Sequence, residues 1–213
     1  MEIQKEKLSP MMQQYFTLKE KYPDCILFFR LGDFYEMFFD DAVRIARELE
    51  LTLTGRDCGL KERAPMCGIP YHSVDLYLKR LVERGYKIAI CEQLTDPATT
   101  KGLVERDVIR IVTPGTLIES NLLEEGANNY LCSLYFQEDG DCGLCFADLS
   151  TGDITALLPE RENLEANVID VLSRYTPAEI IMNEDALLLK HVMEFIKVRL
   201  QCVVTIRDFV CFS

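Results

Sequence analysis

Residues Leu31–Phe39 read LGDFYEMFF, and how this stretch is laid out decides the fold of the first half of the chain. Six aromatic side chains fall between Phe28 and Phe39, with one glutamate, Glu36, among them. On an extended segment residues i and i+2 share a face, so Phe34, Glu36 and Phe38 stand side by side. Burying an unpaired carboxylate among such rings costs on the order of several kcal/mol. Either Phe34 is a core ring beside a solvated glutamate, or Phe34 and Glu36 point outward together.

The flanking sequence reads as alternating helices and strands. Ser9-Pro10 marks a helix start, Ser9 as N-cap and Pro10 in the first turn, with the helix stopping before Pro23. CILFFRLG (25–32) is a strand ended by Gly32, and a helix begins near Asp40 or Asp41, whose carboxylates suit its N-terminal end. LTLTG (51–55) is a strand candidate. Residues 56–72, with two Gly and two Pro, read as a long loop. Ser73 is placed as the cap of a helix carrying Val74, Leu78 and Leu81 on one stripe, and strands follow at 86–93 and 108–116. The first unit is thus α/β, with about four strands and three helices.

Beyond Pro114-Gly115 the pattern changes. YLCSLYF (130–136), CGLCFADLS (142–150) and DITALL (153–158) form an antiparallel meander. A helix (about 160–174), the strand AEIIM, a helix (about 185–199) and the strand CVVTI complete a second α/β unit. The predicted domains are 1–116 and 130–213, the latter incomplete at its C-terminus, with a linker at 117–129.

Composition narrows the function classes. With 213 residues, 48% hydrophobic and 27% charged, the chain is ordinary globular material for one or two domains. Its charged N-terminus has no secretory h-region, and no apolar run nears the ~18 residues that span a bilayer. Nine cysteines without regular spacing read as reduced thiols of a cytosolic protein. The net charge of −12 argues against a nucleic-acid partner until the chain is divided. Residues 1–113 hold 17 basic and 18 acidic side chains, a net of −1, and residues 114–213 hold 6 and 17, a net of −11. Residues 54–113 carry 10 basic and 8 acidic groups, so a positive face belongs there if anywhere.

An outward Phe34-x-Glu36 pair has a definite chemistry. A ring stacks into a weakened base step for roughly 1–3 kcal/mol, and opening a step costs least where pairing is already poor. A carboxylate accepts from a thymine N3–H, or when protonated donates to a purine N7; against an intact duplex it meets phosphate repulsion and no free base edge. The neighbouring residues weigh for this reading. GDFYEMFFDDA, SPMMQQYFTLK and PMCGIPYHSVDLYLKRLVERGYKIAICEQLTDPATTKGLVERDVIRIVTPGT resemble the N-terminal mismatch-recognition domain of the MutS family of DNA mismatch repair proteins. The likeness runs nearly unbroken through residues 9–116 and continues more weakly through FADLSTGDI and TPAEI, which look like the family's connector domain.

The resemblance implies a small mixed-sheet α/β mismatch-recognition domain followed by a ribonuclease H-like α/β connector. It implies that Phe34 stacks at the mispair from the minor groove and that Glu36 hydrogen-bonds the displaced base. It further implies mismatched double-stranded DNA as ligand, a homodimer in the full-length family, MutL recruited through the connector, and a bacterial cytosolic or nucleoid location with no membrane partner. ATP and Mg²⁺ are implied for the full-length family protein only: no GxxxxGK[ST] occurs in this sequence, so no cofactor is expected here and this portion is expected not to be an enzyme.

Other candidates are weaker. Ala64–His72 reads as a rigid loop whose Met66, Ile69 and His72 line a widened minor groove, or as a structural connection with His72 capping the next helix. Arg56, Arg63, Lys79, Arg80, Lys101, Arg106 and Arg110 are phosphate candidates; Arg56 and Lys101 have the best claim because Gly and Thr neighbours leave the backbone open. Asp148 in FADLSTGD raises a metal-dependent nuclease reading, but neither Asp141 nor Asp153 has an evident metal-site spacing. Cys142-x-x-Cys145 lacks a second pair and faces both sides of a strand. A paralogue that binds branched DNA, or serves only as an interaction module, is the remaining alternative.

Overall fold

The structure, a computed structural model, describes residues 5–95, 100, 102–118 and 127–212. The chain divides into two compact units, Met1–Val112 and Thr113–Ser213. Both are α/β, each built on a mixed sheet.

The first unit opens with helix α1 (Pro10–Lys21), followed by strands β1 (Ile26–Leu31) and β2 (Phe34–Phe38) and helix α2 (Phe39–Leu49). Strands β3 (Thr54–Arg56) and β4 (Ala64–Pro70), helix α3 (Val74–Val82) and strands β5 (Ile88–Gln93) and β6 (Arg106–Val112) complete it. The sheet order is β3-β4-β2-β1-β5-β6. Only β1 and β5 run parallel; every other pair is antiparallel. LGDFYEMFF is therefore a hairpin, turned at Gly32-Asp33, with Leu31 paired to Phe34. Gly32 takes φ +58, the positive value that the first central position of a tight hairpin turn demands.

The stretch expected as a loop at 56–72 holds β4, an inner strand. Its prolines hid it, since proline cannot donate to a ladder. Pro65 escapes that penalty by lying beyond the end of β2, opposite Gly55 of the three-residue edge strand β3, and Pro70 closes the strand opposite Phe34. The strand expected at 51–55 shrinks to Thr54–Arg56, because the chain leaves α2 through Glu50 in the left-handed region and Leu51 still donates to Ala46. Neither Ser9 nor Ser73 makes a side-chain capping bond. The N–H of Ser9 is bonded to Cys58, and a 3₁₀ turn at Tyr71–Ser73 runs straight into α3.

Helix α1 covers one face of the sheet, where Met12, Tyr15 and Leu18 pack with Leu27, Phe29 and Phe38. Helix α2 lies on the opposite face, the Cys67 thiol meeting the Ala42 carbonyl. Asp41, expected to serve its own helix end, is buried and ties three elements together. It accepts the Leu27 N–H at 3.1 Å and the Lys19 ammonium at 2.9 Å. Strand β2 runs into α2 with no loop, so Phe39 adopts φ +53 at a cost of about 1–3 kcal/mol, held by the rings of Tyr15 and Phe16.

The second unit comprises β7 (Tyr130–Phe136), β8 (Cys142–Asp148), β9 (Asp153–Leu157), α4 (Leu164–Tyr175), β10 (Glu179–Met182), α5 (Lys190–Phe195) and β11 (Val203–Ile206). The order β11-β10-β7-β8-β9 joins an antiparallel meander to parallel β7, β10 and β11, the ribonuclease H-like arrangement. The helix expected over 185–199 is broken into a 3₁₀ turn at Glu184–Leu188, α5 and a π turn at Ile196–Leu200. Pro114–Thr116, expected as the end of the strand 108–116, is a 3₁₀ turn: Gly115 is buried and its N–H donates to Glu179. Of the predicted linker, residues 119–126 lie outside the described residues. No helix among the described residues is long and apolar enough to cross a membrane. All nine cysteines are unbonded thiols, and burial pushes Cys67 and Cys91 up to about 12.

Candidate nucleic-acid interface

Phe34, Glu36 and Phe38 share the α1-facing side of β2, as period 2 requires. Their fates differ because α1 reaches only one end of the strand. Phe38 is fully buried, its ring centroid 5.1 Å from that of Tyr15, whereas Phe34 at the hairpin end is 46% exposed. The strand thus carries an anchored ring and a bare ring on one face. Opposite Glu36 stands Gly68 of β4. A methyl group placed there would lie 3.4 Å from the Glu36 Cγ and 3.8 Å from the Phe34 Cδ1, so both side chains rest over a residue with no side chain of its own.

Glu36 is not a free probe. The Arg56 Nη1 donates to its Oε2 at 2.5 Å, and the carboxylate side chain is only 13% exposed. This corrects the expectation of an unengaged acid jutting from the surface. Arg56 sits opposite Ala64, four residues along β4 from Gly68, so its side chain reaches back along the sheet to make the bond. The pairing neutralises a carboxylate that the hairpin otherwise leaves beside an apolar ring.

The remaining sequence candidates divide. Ile69 is fully buried and takes no part in any surface: in β4, Cys67 and Ile69 face inward while Met66, Gly68 and Pro70 face the other side. Met66 is half-buried against the α1-side core, its sulfur near the Thr54 hydroxyl. His72 is exposed in the turn before α3, its ring edge-on to Tyr71. Lys101 lies outside the described residues. Arg106 is buried rather than phosphate-facing: it donates to the Arg30 carbonyl, Gln14 and the Val104 carbonyl, and lies over the Phe29 ring.

A cluster that the sequence did not reveal braces the hairpin from the opposite face. The Arg30 guanidinium stacks 3.7 Å from the Tyr71 ring centre and pairs with Glu92, which also accepts the Tyr35 hydroxyl. The Tyr71 N–H bonds to the Asp33 carbonyl within the turn. Burial first, then the hydrogen bond to Glu92, drives the Tyr35 phenol well above its ordinary range. Only the pairing register brings these residues together; their sequence separations carry no signal.

In the second unit, the Asp148 carboxylate is consumed by structure. It accepts the Ser150 N–H and hydroxyl and the Asn129 N–H. Burial opposes its ionisation, yet these bonds outweigh burial and hold it below its ordinary value. Among the described residues, no three His, Cys, Asp or Glu side chains converge to hold a metal ion.

Comparison with known proteins bears on both units. The family model described as MutS domain I matches residues 9–121, and that described as MutS domain II matches residues 129–208. The chain is similar to the DNA mismatch repair protein MutS of Clostridium tetani, 56% identical over 200 residues that cover 93% of this chain and 22% of that protein. It is likewise similar to the protein of that name from Alkaliphilus oremlandii, 55% identical over 82% of the chain and 20% of the relative, and from Clostridium botulinum, 57% identical over 84% and 19%. The chain spans about a fifth of the length of the curated relatives it matches.

Proposed function

The chain belongs to the MutS family, and on that premise we propose that it is the part of a DNA mismatch repair protein that reads the mispair. Phe34 stacks into the weakened step from the minor groove, and Glu36 hydrogen-bonds the base so displaced. The observation that carries this reading is the 46% exposed Phe34 ring beside Glu36, at the end of a sheet face that α1 leaves uncovered. Stacking stabilises the complex by roughly 1–3 kcal/mol per base, and a matched step resists opening. Exposed Arg63 and Arg80 belong to the positively charged 54–113 stretch and supply position without sequence preference.

In this proposal residues 1–116 are the recognition domain and 130–213 the connector. With 14 acidic and 6 basic side chains over 130–213, a net of −8, the connector suits a protein partner, MutL, better than phosphate. Homodimerisation, ATP and Mg²⁺ binding outside these residues, and a cytosolic location belong to the same proposal. The test is a titration of otherwise identical G·T and G·C duplexes with the intact protein, at two salt concentrations. Wild type is expected to prefer G·T, and Phe34→Ala to lose that preference while keeping its fold. Full discrimination by Phe34→Ala would overturn the assignment, and tighter binding to a four-way junction than to G·T would favour a branched-DNA role.

A further inference from the structure

We infer that Arg56 is a specificity-determining residue: it holds Glu36 in the DNA-free protein and is released to a backbone phosphate only when a mispaired base takes the carboxylate over. This rests on the proposed mismatch-reading role and adds to it a competitor built into the protein.

Three observations carry the inference. Arg56 engages Glu36 through one nitrogen, Nη1 to Oε2, not through the two-pronged geometry that makes arginine–carboxylate pairs hard to break. Its side chain is 38% exposed at the edge of the sheet, within reach of solvent and so of a phosphate, whereas Glu36 is held over Gly68. Arg56 must also extend back across four pairing rows to make the bond, an ordering that release recovers as side-chain freedom.

Charge then decides when exchange occurs. While closed, the pair presents no net charge to the duplex. Opening it frees one positive and one negative group. The positive group finds a phosphate anywhere along the backbone. The carboxylate needs a base N–H, and in a matched pair the thymine N3–H and guanine N1–H are already bonded. On matched DNA, opening would leave a bare carboxylate among phosphates, so the pair stays closed. A mispaired thymine, held only by a weaker wobble pair and displaced by Phe34, gives up its N3–H to the carboxylate, and both halves of the pair are then satisfied. Arg56 thereby couples a phosphate contact to base recognition.

Such coupling has a signature in salt dependence, because each neutralised phosphate steepens log K against log[salt] by about 0.9. In the wild-type protein, the slope for a G·T duplex is expected to exceed that for its G·C counterpart by about that amount. Raising salt from 50 to 200 mM would then cost about 3.5-fold in preference. In Arg56→Gln the two slopes should coincide at the shallower value. In Glu36→Gln they should coincide at the steeper one, since Arg56 is then free on either duplex. Equal slopes in the wild type, or a difference that survives in Arg56→Gln, would overturn the inference. Failure of the two proposals is distinguishable: no preference for G·T defeats the mismatch-reading role itself, while preference with equal slopes defeats only the exchange of Arg56.

Discussion

Glu36 and Asp148 are both carboxylates removed from bulk water, one in each unit, and they are held by opposite means. Asp148, 1% exposed, is gripped by backbone amides and a neighbouring hydroxyl whose positions the fold fixes. Glu36 is held by one contact from a long, partly exposed side chain. Backbone donors cannot leave without unfolding the turn, so Asp148 is committed to stability. A guanidinium on a flexible stem can leave for another anion, so Glu36 is stabilised yet exchangeable. The way an acid is satisfied, more than its burial, separates a structural carboxylate from one available to a ligand.

The widest separation between the two kinds of position should appear on one strand. Phe38→Ala should destabilise the first unit by about 3–5 kcal/mol, while Phe34→Ala should change stability by no more than about 0.5 kcal/mol, as read by urea unfolding. Comparable losses at both sites would erase the contrast between anchored and bare ring.

Asp148→Asn should come next, lowering the stability of the second unit by about 1.5–3 kcal/mol at neutral pH through its lost charge-assisted bonds. The sign with pH follows from the lowered folded-state value. The contribution is fully present above the ordinary 3.8 and is lost as pH falls through the depressed value. The gap between wild type and Asp148→Asn should therefore be constant from pH 7 to about 5 and close progressively below about 4. A gap that widened with acid would contradict the hydrogen-bond assignment.

Smallest of all should be Arg56→Gln, whose partly exposed single-contact pair is worth about 0–1 kcal/mol to folding. Thermal unfolding should barely register the change, while the salt dependence of mismatch binding should. A large stability loss would move Glu36 into the same class as Asp148 and remove the distinction.

Much of this was legible along the chain. The first helix, strands within the stretches 25–32, 86–93 and 108–116, the meander and the shift in charge after residue 113 follow from local periodicity, turn residues and composition. Strand β4 was not legible, because Pro65, Gly68 and Pro70 signal interruption unless the lengths of the neighbouring strands are known. Ile69 was misassigned for the same reason: read as loop, it had no inner side. The Arg30–Tyr71–Glu92 brace and the Arg56–Glu36 pair join residues whose separations carry no periodic signal.

By itself the sequence determined the inventory: two α/β units, an acidic second half, an aromatic stretch with one acid in it, and the family likeness of residues 9–116. Local periodicity and composition are enough for these, since each depends on residues close together in the chain. Tertiary structure alone decided which ring is covered and which acid is engaged. Both depend on how far α1 extends over the sheet and on the register that sets Gly68 opposite Glu36 and brings Arg56 within reach. Such contacts are made between strands, and no pattern within a strand encodes its neighbour.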